Sequence, residues 1–297
     1  MSEVCLIVIF NHRYDKNLPI LEDLYRERFS NRYYLMPFYD GEMENVVPVY
    51  GRSIFFQGYI AQAANVFVKD HFKHYLFVAD DMVIHPNINE NNYRDFFEVE
   101  DGQSYISELR PLQDMGQFWI GTISAVFYFK KQKYIEVANE IPSEEIATSL
   151  LSNQGAMIRP LTRKEIFGDF SLSISSLGNK ARLMLRLLTK LRHPFQNAYK
   201  LPYPMVGSYS DIILVSSNSI KKFAHYCGVF SSTCLFAEVA IPTALGLASS
   251  VKIQVEKNMK RKGKAYWQGA GPFYYSDEYQ WDNIEKEYKN LDDMMNK

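Results

Sequence analysis

The sequence predicts an α/β protein with a Rossmann-type mixed sheet flanked by helices. Three observations carry that prediction. Residues 4–10 (VCLIVIF) form a short, continuous apolar run bounded by Asn11, His12 and Arg13, the pattern of a strand buried on both faces. Segments of helical period then alternate with further apolar runs. A chain of 297 residues that is 47% hydrophobic and 23% charged has the material for one large α/β core or two modest ones.

The elements follow in order. From Leu18 the apolar residues Leu21, Leu24, Tyr25 and Phe29 recur at helical spacing, and residues 33–38 form a second strand that ends at the turn Tyr39-Asp40-Gly41. Residues 53–71 read as a helix (Ile54, Ile60, Ala61, Ala64, Val68) and lead into a third strand, 75–79, which ends at Asp80-Asp81 where the chain is expected to become accessible. This β-α-β-α-β order places Asp40 and Asp80-Asp81 on the carboxyl edge of the sheet, where open α/β folds bind ligands. After the polar loop NINENN (87–92), residues 118–130 read as a strand and 134–141 and 143–151 as helices. The last of these has a weak cap, since no acid stands three residues after Ser143. Residues 153–176 give no clear pattern. LPYP (201–204) reads as a rigid joint, followed by a strand at 211–215, helices at 220–226 and 235–248, and a polar helical tail at 282–297. The expected organisation is a nucleotide-binding half (1–115), a middle segment with a helical insertion (116–204) and a second half with the tail (205–297).

Composition excludes several function classes. A net charge of −1 argues against nucleic acid as the main partner, because neutralising phosphates takes a basic excess over a whole face. The three cysteines, Cys5, Cys227 and Cys234, form no C-x-x-C pair, so neither a structural zinc site nor a redox motif is expected and a reduced, cytoplasmic setting fits. No stretch approaches the ~20 apolar residues of a membrane span, and residues 4–10 are too short for a signal-peptide core. Aromatic residues make up 15% of the chain (21 Tyr, 20 Phe, 3 Trp); most belong in a core, while Tyr-rich surfaces also supply the flat faces that sugar clefts use.

Two adjacent carboxylates after a strand can hold a divalent cation with open positions for a diphosphate; the alternative is a strand end with solvated aspartates. The succession of strand, helix, strand ending in Asp40, helix with Gly58 and Asn65, then FVADD resembles the nucleotide-sugar half of GT-A fold glycosyltransferases, which carry the acidic DxD metal motif there. Ala79-Asp80-Asp81 matches only the motif's looser variants. The resemblance implies Mn²⁺ or Mg²⁺ on Asp80 and Asp81, with Asp80 also meeting the diphosphate. It implies base and ribose contacts from Phe10, Asn11, His12 and Asp40, each of which has a plain turn residue as its alternative.

The segment VGSYSDIILVSSNSIKKFAHYCGVFSSTCLFAEVAIPTAL is similar to the acceptor half of inverting members of that fold, and there Glu238 stands as general base with Asp211 in reserve. Glu238 is the only acid between Asp211 and Glu256; its plainer role is a helix N-terminal acid. Retaining members that use manganese often add a histidine ligand near the C-terminus. No His follows His225, so inversion is the favoured outcome. The basic run KNMKRKGK (257–264), before Trp267-Gln268-Gly269, either meets the diphosphate or is a solvated loop.

The helix from Lys180 to Arg192 spaces Arg182, Arg186 and Lys190 every four residues with leucines on other faces, as an anionic membrane interface or a packed surface would both allow. The expectation is therefore a metal-assisted GT-A-like glycosyltransferase of the bacterial surface-glycan type, with a nucleotide-sugar (UDP-sugar) donor and a glycan or lipid-linked glycan acceptor. Its setting is cytoplasmic, with peripheral contact at the inner membrane face. A non-catalytic glycan-binding scaffold of the same fold is the alternative. A sugar nucleotidyltransferase is disfavoured because residues 11–17 hold no glycine for a phosphate loop.

Overall fold

The structure, a computed structural model, describes residues 2–115, 120–126, 136–167, 198–255 and 263–265. Strand β1 (Val4–Ile9) lies at the centre. Its alternate residues enter two separate cores: Cys5, Ile7 and Ile9 on one face, Val4, Leu6 and Val8 on the other. That is why the run is apolar throughout, with no hydrophobic-polar alternation. Its parallel neighbours are β2 (Arg32–Pro37), which pairs in turn with β3 (Val46–Val49), and β4 (His74–Ala79). Beyond β4 come β11 (Ile212–Ser216), β6 (Tyr105–Ile106) and β12 (Gln254–Val255), so that the described sheet runs β12-β6-β11-β4-β1-β2-β3. Only β11 is antiparallel to its neighbours. The result is an α/β fold with a mostly parallel mixed sheet between helices. Six strands share one carboxyl edge, and β11 begins there.

Helices α1 (Leu18–Tyr25) and α3 (Tyr93–Phe97) cover one face through Leu18, Leu21, Tyr25, Tyr93 and Phe97. Helices α2 (Gln57–Phe67), α8 (Ser217–Ser232) and α9 (Ala237–Ala248) cover the other, with Ile60, Phe67, Phe223 and Val239 in its core. Helix α9 is buried nearly all round, so it packs as a central helix of that layer. Where α2 crosses α8, a Cβ on Gly58 would stand 2.3 Å from Ser231 Oγ and 3.0 Å from Ser231 Cβ. A Gly58→Val variant is therefore expected to push the helices apart and cost about 1–3 kcal/mol, a fall of several degrees in melting temperature that thermal denaturation would read.

Several expectations need correction. Residues 120–126 of the predicted strand 118–130 form helix α4 (Ile120–Val126); the rest of that segment lies outside the described residues. The β-branched Thr122, Ile123 and Val126 suggested a strand, but the small residues Gly121, Thr122 and Ala125 are buried at helical spacing, and Ser124 Oγ accepts from the backbone N–H of Phe236 (3.1 Å) just before α9. Close packing on α9 overrides β propensity. Strand β3 was not expected; its Pro48 is tolerated because the strand is the sheet edge.

Helix α5 (Val137–Glu140) covers part of the predicted 134–141. Helix α6 (Glu144–Asn153) is capped after all, Ser143 Oγ accepting from the Ile146 N–H (3.4 Å). In the unassigned stretch lie β8 (Leu161–Thr162), which pairs with β9 (Ala198–Tyr199), and α7 (Arg163–Phe167). The helix from Lys180 to Arg192, Trp267 and the tail 282–297 lie outside the described residues.

Candidate functional site

At the carboxyl edge the strand carrying Asp80 does not turn out to solvent. The Asp80 N–H donates to Ile9 O (2.9 Å), which extends the β1–β4 ladder, and the Ala79 N–H donates to Asp211 O (2.9 Å). The chain then enters β5 (Met82–Ile84) at once. Contrary to the expected accessibility, Asp80 is 2% and Asp81 8% exposed. Asp80 Oδ1 accepts a long hydrogen bond from the Asn11 N–H (3.4 Å). Its Oδ2 is buried and has no hydrogen-bond partner among the described residues.

Asp211, half-buried, immediately precedes β11, its carbonyl bonded to the Ala79 N–H. Burial, reinforced by the neighbouring Asp81 charge, raises the Asp80 carboxyl well above the usual carboxylate range. Burial also raises Asp81, and burial followed by the Asp81 charge pushes Asp211 up to about 6. Among the described residues no Lys or Arg forms an ion pair with these three acids, and the Asn11 N–H is the hydrogen-bond donor to Asp80.

Glu238 is half-buried in the first turn of α9. The Ser208 N–H donates to its backbone carbonyl (3.0 Å), tying α9 to the linker between β10 (Val206–Gly207) and β11. In that linker Tyr209 is 49% exposed, and its hydroxyl is raised by burial and then by the charges of Glu238 and Glu108. The Asp211 charge raises it further. Beyond it, Arg110 of β7 (Arg110–Pro111) pairs with the Glu108 carboxylate (2.5 Å).

The other candidates are placed differently. The Phe10 ring is core, edge-on to Tyr34 at 6.4 Å, and offers a ligand only its backbone. Asn11 supports Asp80 through its backbone. His12 is half-buried and held below its usual pKa by that burial. Asp40 is exposed and ion-paired to Arg13, which also bonds Asp15 (2.8 Å) and Phe38 O (3.1 Å); this holds the Asp40 carboxyl below its ordinary range and ties together the loops after β1 and β2. Asn65 lines a groove of about 670 Å³ between α2, α5 and α8, away from the carboxyl edge.

The end of the basic run does come to the edge. Strand β13 (Gly263–Ala265) pairs antiparallel with β5, Lys264 opposite Val83 and Ala265 opposite Met82, directly after the acid pair. Sequence reasoning passed over Tyr209 and the Glu108–Arg110 pair. The only local signal was a large residue set among Gly207, Ser208 and Ser210, a composition that favours a tight turn.

Among the described residues no group of three or more His, Cys, Asp or Glu converges as a metal site. The Asp80 Oδ2, without a partner among the described residues, fits a cation held there by Asp80 and Asp81 with open positions for further ligands. No family model, curated protein or solved structure matches the chain. Among the described residues no helix is long and apolar enough to cross a membrane.

Proposed function

We propose that the chain is a GT-A-like glycosyltransferase that moves a sugar from a nucleotide donor, a UDP-sugar, to a hydroxyl of a glycan or lipid-linked glycan. The observation that carries this reading is Asp80: a carboxylate 2% exposed, with an oxygen that has no partner among the described residues, beside Asp81 on the edge where six strands end. A buried anion without a cation is costly, and a Mn²⁺ or Mg²⁺ ion relieves that cost. When bound, such an ion neutralises charge growing on a nucleoside diphosphate leaving group.

The chain's own residues do the rest. The Asn11 N–H fixes Asp80 Oδ1. Glu238 accepts the proton of the acceptor hydroxyl; as the acceptor oxygen bonds the anomeric carbon, the bond to the diphosphate breaks and its electron pair leaves with the diphosphate. Attack opposite the leaving group inverts the centre. Asp211, tied electrostatically to Asp81, is the reserve base. The basic character of residues 180–192 supports a cytoplasmic site of action at the inner membrane face, near lipid-linked acceptors.

A thermal-shift screen of nucleotide sugars with and without Mn²⁺ tests the reading. One donor is expected to raise the melting temperature only with the metal, since a ligand at about 100 times its Kd stabilises the folded state by about 2.7 kcal/mol. No shift from any nucleotide sugar in either condition would overturn it. A donor that binds but is never transferred points instead to the glycan-binding scaffold.

A further inference from the structure

We propose that Tyr209 is the platform on which the acceptor's pyranose ring stacks beside Glu238, with the Glu108–Arg110 pair meeting its hydroxyls; this rests on the glycosyltransferase reading. The linker that carries Tyr209 is otherwise sunk in the protein: Val206 and Ser208 are fully buried and Ser210 nearly so, while the Tyr209 ring stands half out. A lone exposed ring is ordinary on a protein surface. This one differs in how it is held and in what surrounds it.

Its backbone is fixed. The Tyr209 carbonyl accepts from Ser107 Oγ (2.9 Å) and Ser208 Oγ (3.1 Å), and the preceding N–H is bonded to the Glu238 carbonyl. A ring on so constrained a backbone loses little freedom when a ligand covers it. The register Gly207 opposite Arg110 between β10 and β7 brings the Glu108–Arg110 pair alongside the residues that follow Gly207. The linker that carries the ring is thus bonded to the backbone of Glu238, lies in register with the Glu108–Arg110 strand and leads two residues on to Asp211.

The chemistry selects the occupant. A pyranose offers one face of C–H bonds to a flat ring and a rim of hydroxyls that carboxylates and guanidinium bind well. A phosphate-bearing group would meet the Asp211 carboxylate, while the Glu108 and Arg110 charges already balance each other. The site therefore suits a neutral sugar, and its place beside Glu238 assigns it to the acceptor.

Saturation-transfer NMR on the full chain with Mg²⁺ and UDP, using a panel of methyl hexopyranosides, tests the assignment. Wild type and Tyr209→Phe are expected to bind at least one methyl hexopyranoside, and Tyr209→Ala to bind it at least about tenfold more weakly, with melting temperature and UDP affinity unchanged. Undiminished binding by Tyr209→Ala, or no binding of any methyl hexopyranoside by wild type, overturns the platform. A chain that binds a hexopyranoside through Tyr209 but binds no UDP retains the platform and overturns the donor assignment.

Discussion

Replacing Asp80 by asparagine is expected to raise the melting temperature of the cation-free protein by about 2–6 °C and to abolish stabilisation by Mn²⁺ with a nucleotide sugar. The two effects have one cause. Ionising Asp80 works against its burial and the Asp81 charge, and among the described residues one long bond from the Asn11 N–H supports the charged form. Asparagine keeps an oxygen for that bond and removes the charge, a change that replaces an uncompensated buried ion with a neutral group. It also removes the oxygen a cation needs.

The sign of the pH dependence follows. A carboxyl raised in the folded state binds its proton more tightly there than in the unfolded chain, so its penalty is absent below the ordinary carboxylate value near 4 and is full above the folded value. The stability advantage of Asp80→Asn should therefore grow as pH rises above about 4 and shrink as pH falls toward it. Subtracting the two proteins' melting curves at each pH isolates Asp80. The subtraction is needed because His74, buried between Tyr93 Oη and Gln103 O and held down at about 4, acts in the opposite direction: its contribution is lost as pH falls from about 6.5. A wild type as stable as, or more stable than, the variant at neutral pH without metal would mean that Asp80 is already compensated, and the cation assignment would lose its main support.

How far the site could be read from sequence follows from which forces are local. The runs at β1 and β4 are legible because strands buried on both faces need apolar residues at every position, and α1 and α2 because each buries one face. The acid pair was legible as an abrupt change of polarity at a strand end. Its burial was not, because it depends on the Asp80 N–H finding Ile9 O and on Asp211 arriving from more than a hundred residues downstream. Strand direction is equally non-local: nothing in IILVS tells that β11 runs against β4 and β6. In α4 the side-chain types pointed to a strand, while the need for small residues against α9 decided for a helix. Phe10 was expected to meet the base or ribose because of the GT-A resemblance, yet the alternation of β1 carries it into the core with Val4, Leu6 and Val8.

Glu238→Gln is expected to lower turnover by about 10²–10⁴, with donor affinity intact and the fold nearly as stable. Gln occupies the same volume in the first turn of α9, and the charge lost at the helix N-terminus costs about 0.3–1 kcal/mol. Transfer, by contrast, loses its proton acceptor. Asp211→Asn should give a different result, because the Asp81 charge bears on Asp211. Removing its charge alters the cation side of the site and should change the donor's KM before kcat. Steady-state kinetics that vary donor and acceptor separately would tell these apart. A turnover that survives Glu238→Gln but collapses in Asp211→Asn, with a wild-type profile rising through about pH 6 as Asp211 ionises, would move the base from α9 to the start of β11. Transfer would then draw its base and its cation ligands from a single cluster, and Glu238 would keep only its place at the helix end.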